Sequence, residues 1–129
     1  MAEIEVQRIG RSRATVTVEG TSPLIVNRFS TKARQMMLDR QMGKKAVREA
    51  KSPEECFEQS LYRLDDGTFG FPATAFKSAI VEASRYFDKT VSKVLLRQMI
   101  LVVGHGTDQL VPVDGKPEMR EDPVRNATG

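Results

Sequence analysis

Four features of this sequence carry groups that could do chemistry. They are one thiol (Cys56), one imidazole (His105), an adjacent carboxylate pair (Asp65 and Asp66), and a concentration of cations between Arg28 and Lys51. Cys56 stands among Glu54, Glu55 and Glu58. A cysteine nucleophile works as a thiolate, and three carboxylates alongside are the wrong company for one. His105 lies between Gly104 and Gly106, the setting of a turn residue. Asp65 and Asp66 precede Gly67, and a turn explains them better than a metal pair, which needs further ligands. Cys56 and His105 are too far apart in sequence to suggest a metal-ligand motif. No glycine-rich phosphate loop of standard spacing is present. Neither an enzyme nor a cofactor or metal site is expected.

The cations are a stronger signal. From residue 28 to 51 the chain carries Arg28, Lys32, Arg34, Arg40, Lys44, Lys45, Arg48 and Lys51 against only Asp39 and Glu49, a net +6. The whole chain carries +3, so the remainder carries −3. Charge concentrated in this way captures a phosphate backbone. A basic helix is also a common way to stay soluble, so the excess alone does not name a partner.

Composition bounds the rest. The 129 residues suit one domain, with 40% hydrophobic residues for a core and 29% charged residues for a solvated surface. Aromatics make up 6% and Trp is absent, which excludes a broad stacking platform but leaves room for two or three placed rings. No apolar run approaches the ~20 residues that span a bilayer. The opening residues lack the apolar stretch of a secretory signal, and a lone cysteine makes no internal disulfide. The expectation is a cytoplasmic protein with no membrane partner.

The elements that must position these residues follow from periodicity. Ala14, Val16 and Val18 alternate with Thr15, Thr17 and Glu19, which predicts a half-buried strand over Arg13–Glu19. Ser22–Asn27 reads as a strand end or a loop dipping into the core. Ser30 is a helix cap, and a helix is predicted over Thr31–Gln41, with Ala33, Met36, Met37 and Leu38 as its apolar face and Gly43 as its stop. Ser52, Pro53, Glu54 and Glu55 start another helix. Asp66-Gly67 turns a hairpin between LYRL and TFGF, closed by Pro72. Thr74 is a cap for a helix reaching about Phe87, with Phe76, Ala79, Ile80, Ala83 and Phe87 as its apolar stripe. Residues 89–97 fit helix or strand. Strands are predicted at Gln98–Val103 and over LVPV, the latter an edge because of Pro112. The tail 114–129 is expected to be extended or poorly ordered.

Lys77 falls in the first turn of the Thr74 helix, where a cation opposes the helix dipole. Free N–H groups of the Ala75–Lys77 turn beside that lysine would make an anion site. A lysine pointing to solvent explains the same residue equally well.

At this point the residues resemble a family. VTVEGTSPLIVN followed, after an insertion, by GTFGFPATAFKSAIVEASR resembles the opening of the repeat-associated mysterious proteins, the superfamily of CRISPR backbone and crRNA-handling proteins. Ser22-Pro23-Leu24 matches that family's Pro-Leu turn. Phe71 to Ala79 matches its Pro-Gly-Ser-Ser-Leu-Lys-Gly-Ala turn, with Ala73 and Ser78 in place of two glycines. The chain is also similar to bacteriophage and prophage proteins with the same FGFPA helix start. No aspartate fits the position used by RNA-cutting members. The resemblance implies an α+β, ferredoxin-like (RRM-related) antiparallel sheet, incomplete at the C-terminal end and open to self-association along an edge.

Together these readings predict one α+β domain over 1–113 with a basic helical insertion at 28–60. Its partner would be nucleic acid, single-stranded RNA or DNA being favoured, and the protein would form a homo-oligomer or join a protein complex in a bacterial host cytoplasm. Arg28, Lys32 and Arg34 would touch phosphates with Lys77 and Arg85, while Lys44, Lys45 and Arg48 would steer. The rivals are a phage structural or defence-inhibitor subunit and an RNA-processing nuclease using His105.

Overall fold

The computed structural model describes residues 8–45, 50, 52–87 and 90–123. Within them lie four α-helices and one two-stranded antiparallel sheet: α1 (Thr31–Gln41), α2 (Pro53–Ser60), β1 (Gly70–Pro72), α3 (Ala73–Ala83), α4 (Lys93–Met99) and β2 (Leu110–Pro112). The chain is thus a small α+β protein.

Local chemistry sets the helix ends. Ser30 is extended and its hydroxyl accepts the N–H of Ala33, so α1 starts where a side chain can satisfy a free donor. At the other end Gly43, at φ 73°, donates to the Arg40 carbonyl, and Lys44 donates to Asp39. This pair of bonds is a Schellman stop, and the left-handed residue within it favours glycine. Ser52 caps α2 with Pro53 in the first turn. Ser92 caps α4 by accepting from Leu95, and that cap resolves the ambiguous stretch as helix from Lys93 onward, residue 89 lying outside the described residues.

β1 and β2 pair with Phe71 opposite Val111. Hydrogen bonds extend this ladder on both sides. On one, Gly70 donates to Tyr62 and Leu64 donates to Thr68 around the Asp66-Gly67 turn. On the other, His105 and Leu110 exchange N–H···O bonds of 2.7 and 2.9 Å. The spatial order is therefore 62–64, 68–72, 110–113, then His105. Gly104 sits so close to the Gln109 backbone that an added Cβ would collide with it. The core is small: Leu61, Ala73, Val81 and Leu110 are the buried apolar residues among those described, with Ser84 beside them.

Several sequence expectations are corrected. Arg13–Glu19 forms no strand and lies exposed throughout. Alternation supplies the faces of a strand but not the neighbour whose backbone completes it. Leu24 and Ile25 are exposed rather than dipping into the core. The α1 residues Met36, Met37 and Leu38 are exposed, so the expected apolar face is left uncovered by the described residues. α3 starts at Ala73 with Pro72 as its cap residue, so Thr74 is not the cap. It ends at Ala83 and tightens into a 3-10 turn over Ser84–Tyr86, where the Ser84 hydroxyl donates to the Val81 carbonyl. Its buried stripe is Ala73, Val81 and Ser84, with Lys77 half-buried between, whereas Ala79, Ile80 and Phe87 are exposed. Gln98 and Met99 end α4, and residues 100–104 stay outside any strand.

Candidate nucleic-acid interface

The basic residues sit on separate supports. Arg28 precedes α1, and its backbone N–H donates to the Ser60 carbonyl at the end of α2. That bond carries the side chain over Tyr62, with the guanidinium carbon 6.0 Å from the ring centroid. Tyr62 meets Phe71 edge-on at 5.9 Å, and Phe71 meets Phe76 edge-on at 6.1 Å. All three rings are half-buried, so each keeps some access to solvent. A cation and a row of partly open rings can engage a phosphate and the π-face of a base together.

Lys32 and Arg34 ride on the first turn of α1. Two positions apart means about 200° of rotation about the axis, so they point to opposite flanks and do not converge. Lys44 is committed to Asp39 at 3.1 Å. That bond, with a second from Gln35, holds the Asp39 carboxyl below its ordinary value. Lys45 is exposed and, among the described residues, has no ion pair. Arg48 lies outside the described residues.

Lys77 on α3 and Arg85 in the 3-10 turn after it behave differently from expectation. With Pro72 as the cap residue, Lys77 falls in the second turn rather than the first. The N–H of Ala73 already donates to Gln109 at 2.9 Å. With the helix starting at Ala73, the N–H groups of Phe76 and Lys77 fall within its i to i−4 ladder, and of the expected Ala75–Lys77 amides only that of Ala75 belongs to the unpaired first turn. Arg85 pairs with Glu82 at 3.1 Å, and Glu82 also holds Lys93. Of the expected residues, then, Arg28 is brought against other candidate binding groups, whereas Lys44 and Arg85 are occupied by carboxylates.

His105 opens onto a cleft of about 510 Å³ shared with Arg63, Asp65, Asp66 and Asp108. Asp66 accepts the N–H and hydroxyl of Thr68, at 2.9 and 2.6 Å, in a side-chain turn. These bonds hold its carboxyl below its ordinary value, with a smaller contribution from His105. Arg63 is drawn to Glu58 at 2.8 Å and lies 4.8 Å from the Phe69 ring centroid. Three carboxylates around one imidazole repel a phosphate backbone, so this cleft is a poor place for nucleic acid.

Sequence reasoning allowed for a few placed rings but named none. Tyr62 and Phe71 were findable only from the crowding of Tyr62, Phe69 and Phe71 around one turn. Nothing in the spacing connects them to Arg28. No helix among the described residues is long and apolar enough to cross a membrane. No protein-family model, no curated protein and no solved structure matches this chain.

Proposed function

We propose that this protein binds nucleic acid through its phosphate backbone, with little sequence preference and without catalysing a reaction on it. The observation that carries this reading is Arg28 held over the half-buried Tyr62 ring at the start of the basic stretch. Guanidinium groups suit phosphate, and a partly open ring suits any base. Single strands are the favoured ligand, because only unpaired bases offer their faces to a ring. Lys32, Arg34 and Lys45 add attraction from α1 and its C-terminal loop. The resemblance to crRNA-handling proteins points the same way.

A ferredoxin-like arrangement belongs to this proposal. Its support is the antiparallel pairing of β1 with β2 after the helices α3 and α4, followed outward by the His105–Leu110 bridge. Were the His105 bridge extended into a strand, the order would be that of a split β-α-β unit. A second reading, a subunit that works by binding protein, is favoured by a different observation: Val16, Val18, Leu101 and Val103 are all exposed.

Fluorescence anisotropy of the purified chain with labelled single-stranded RNA, single-stranded DNA and duplex DNA tests the proposal. Micromolar or tighter binding that falls steeply with salt is the expected result. No binding to any of the three at low salt would overturn it and move the weight to the protein-binding reading.

A further inference from the structure

The ladder ends on one side in an unfinished edge. His105 is bonded to Leu110, but Leu101, Val102 and Val103 make no backbone hydrogen bond among the described residues, and Leu101 and Val103 are 80% and 64% exposed. The side chains alternate there: Ile100, Val102 and Gly104 are half-buried, whereas Leu101 and Val103 face out. The N–H of Ile100 is taken by the Leu96 carbonyl and that of Gly104 by the Gln109 side chain, so the open part of this edge, the part that can template another strand, is 101–103.

The same chain holds a segment with the matching pattern and no partner. Ala14, Val16 and Val18 alternate with Thr15 and Thr17. Val16 and Val18 are 76% and 73% exposed, and residues 13–19 make no hydrogen bond among the described residues. We infer that residues 13–19 of one copy add as an antiparallel strand to the 100–104 edge of a second copy, making the protein a self-associating one. This inference stands apart from nucleic-acid binding and gives the protein-binding reading a definite surface and partner.

Two observations set the orientation and register. With Val16 opposite Val102, Ala14 falls opposite Gly104 and Val18 opposite Ile100. The donor's apolar side chains then extend the half-buried face, and its threonines accompany Leu101 and Val103. Charge makes the antiparallel direction the better one. It carries Arg11 and Arg13 toward the Asp65, Asp66 and Asp108 end of the edge, and Glu19 toward Arg97 at the end of α4. The parallel direction would set Arg13 near Arg97 and Glu19 near the aspartates.

The position of the segment favours a second copy over its own edge. Arg28 is bonded to Ser60, which leads into residues 62–64 at the opposite side of the ladder. Reaching its own 100–104 edge would require residues 20–27 to cross the entire sheet, whereas a neighbour's edge needs no such crossing.

The test uses the full chain after nuclease treatment, with light scattering on a sizing column over a range of concentrations. The expected mass is at least twice the 14.4 kDa of one chain. Amides in 14–18 and 101–103 should be slow to exchange in the associated fraction only. The variant Val16→Pro/Thr17→Pro should be monomeric, since both residues are exposed and make no hydrogen bond among the described residues. Arg13→Glu should weaken association, and Asp108→Arg should restore it. A monomeric parent, an oligomer indifferent to the two prolines, or slow exchange at 14–18 within a monomer would each overturn the inference.

Discussion

The N–H of Arg28 donates to the carbonyl of Ser60 at 2.8 Å, across a gap of thirty-two residues. This bond closes the loop that contains α1 and α2, and it fixes where the basic stretch begins relative to the ladder. Tyr62 lies two residues beyond Ser60, which is why the guanidinium comes to rest 6.0 Å from its ring. The site is thus assembled by a backbone bond between two segments distant in sequence, and its side chains follow from that bond.

Replacing either member of the pair should weaken nucleic-acid binding. Arg28→Ala should cost on the order of 1 kcal/mol, about fivefold in affinity, and make the salt dependence shallower by the share of about one phosphate contact. Tyr62→Ala should cost about 1–3 kcal/mol on single strands and much less on duplex. Anisotropy titrations at two salt concentrations check both. Equal losses on single strands and duplex for Tyr62→Ala would mean the ring supports the fold and does not stack on bases.

The Asp39–Lys44 pair makes the contributions of the α1 cations separable. Asp39→Asn should strengthen binding about two- to threefold by removing a negative charge and releasing Lys44 from its partner. Arg34→Glu should weaken it by more, because it reverses a cation with no ion pair among the described residues. The two variants measured together in one salt series give the comparison.

Gly104→Ala should open the hairpin that ends the ladder. A methyl group there would collide with the backbone of Gln109, and Gln109 itself is held at a positive φ of 50°. Backbone cannot swing aside as a side chain can, so the cost should be about 2–4 kcal/mol, read as a lower denaturant midpoint. The same substitution at Gly10, where a Cβ meets nothing within 4 Å, is the control and should be nearly neutral.

The parts that could be read in the sequence are those decided within a few residues. Ser30 and Gly43 bound α1 as expected, Ser52-Pro53 starts α2, and Asp66-Gly67 makes its turn, because caps and turns are satisfied by neighbours in the chain. Arg13–Glu19 and Gln98–Val103 have strand-like composition without ladder partners, and partnership is a long-range property that no periodicity contains. The stripe of α3 was misjudged for a related reason. Both Phe76/Ile80/Ala83 and Ala73/Val81/Ser84 fit helical spacing; α3 packs against β1 and α4, and the second set is the one fully buried, while Phe76 and Ala83 are half-buried and Ile80 is exposed. For the site, the cations were legible one by one, but their supports were not. The Arg28–Ser60 bond joins segments whose sequences say nothing about each other.

Glu82 gives a prediction with pH. Its carboxylate receives Lys93 at 2.6 and 2.8 Å, joining α3 to α4, and Arg85 at 3.1 Å. The Lys93 hydrogen bond, aided by the charges of Arg85, Lys93 and Arg97, holds its pKa below the ordinary 4.5 against a smaller opposing effect of desolvation. A carboxyl whose folded pKa is depressed stabilises the fold above its unfolded value, and that contribution is lost as pH falls through the folded value. Opening of α4, followed by hydrogen exchange after correction for the intrinsic rate, should therefore be constant above pH 4.5 and rise below it. In Glu82→Gln the rate should be higher at neutral pH and lose the part of its pH dependence that lies below 4.5. A rise of equal size in parent and variant would assign the acid sensitivity to other carboxylates and leave the α3–α4 junction to its apolar contacts.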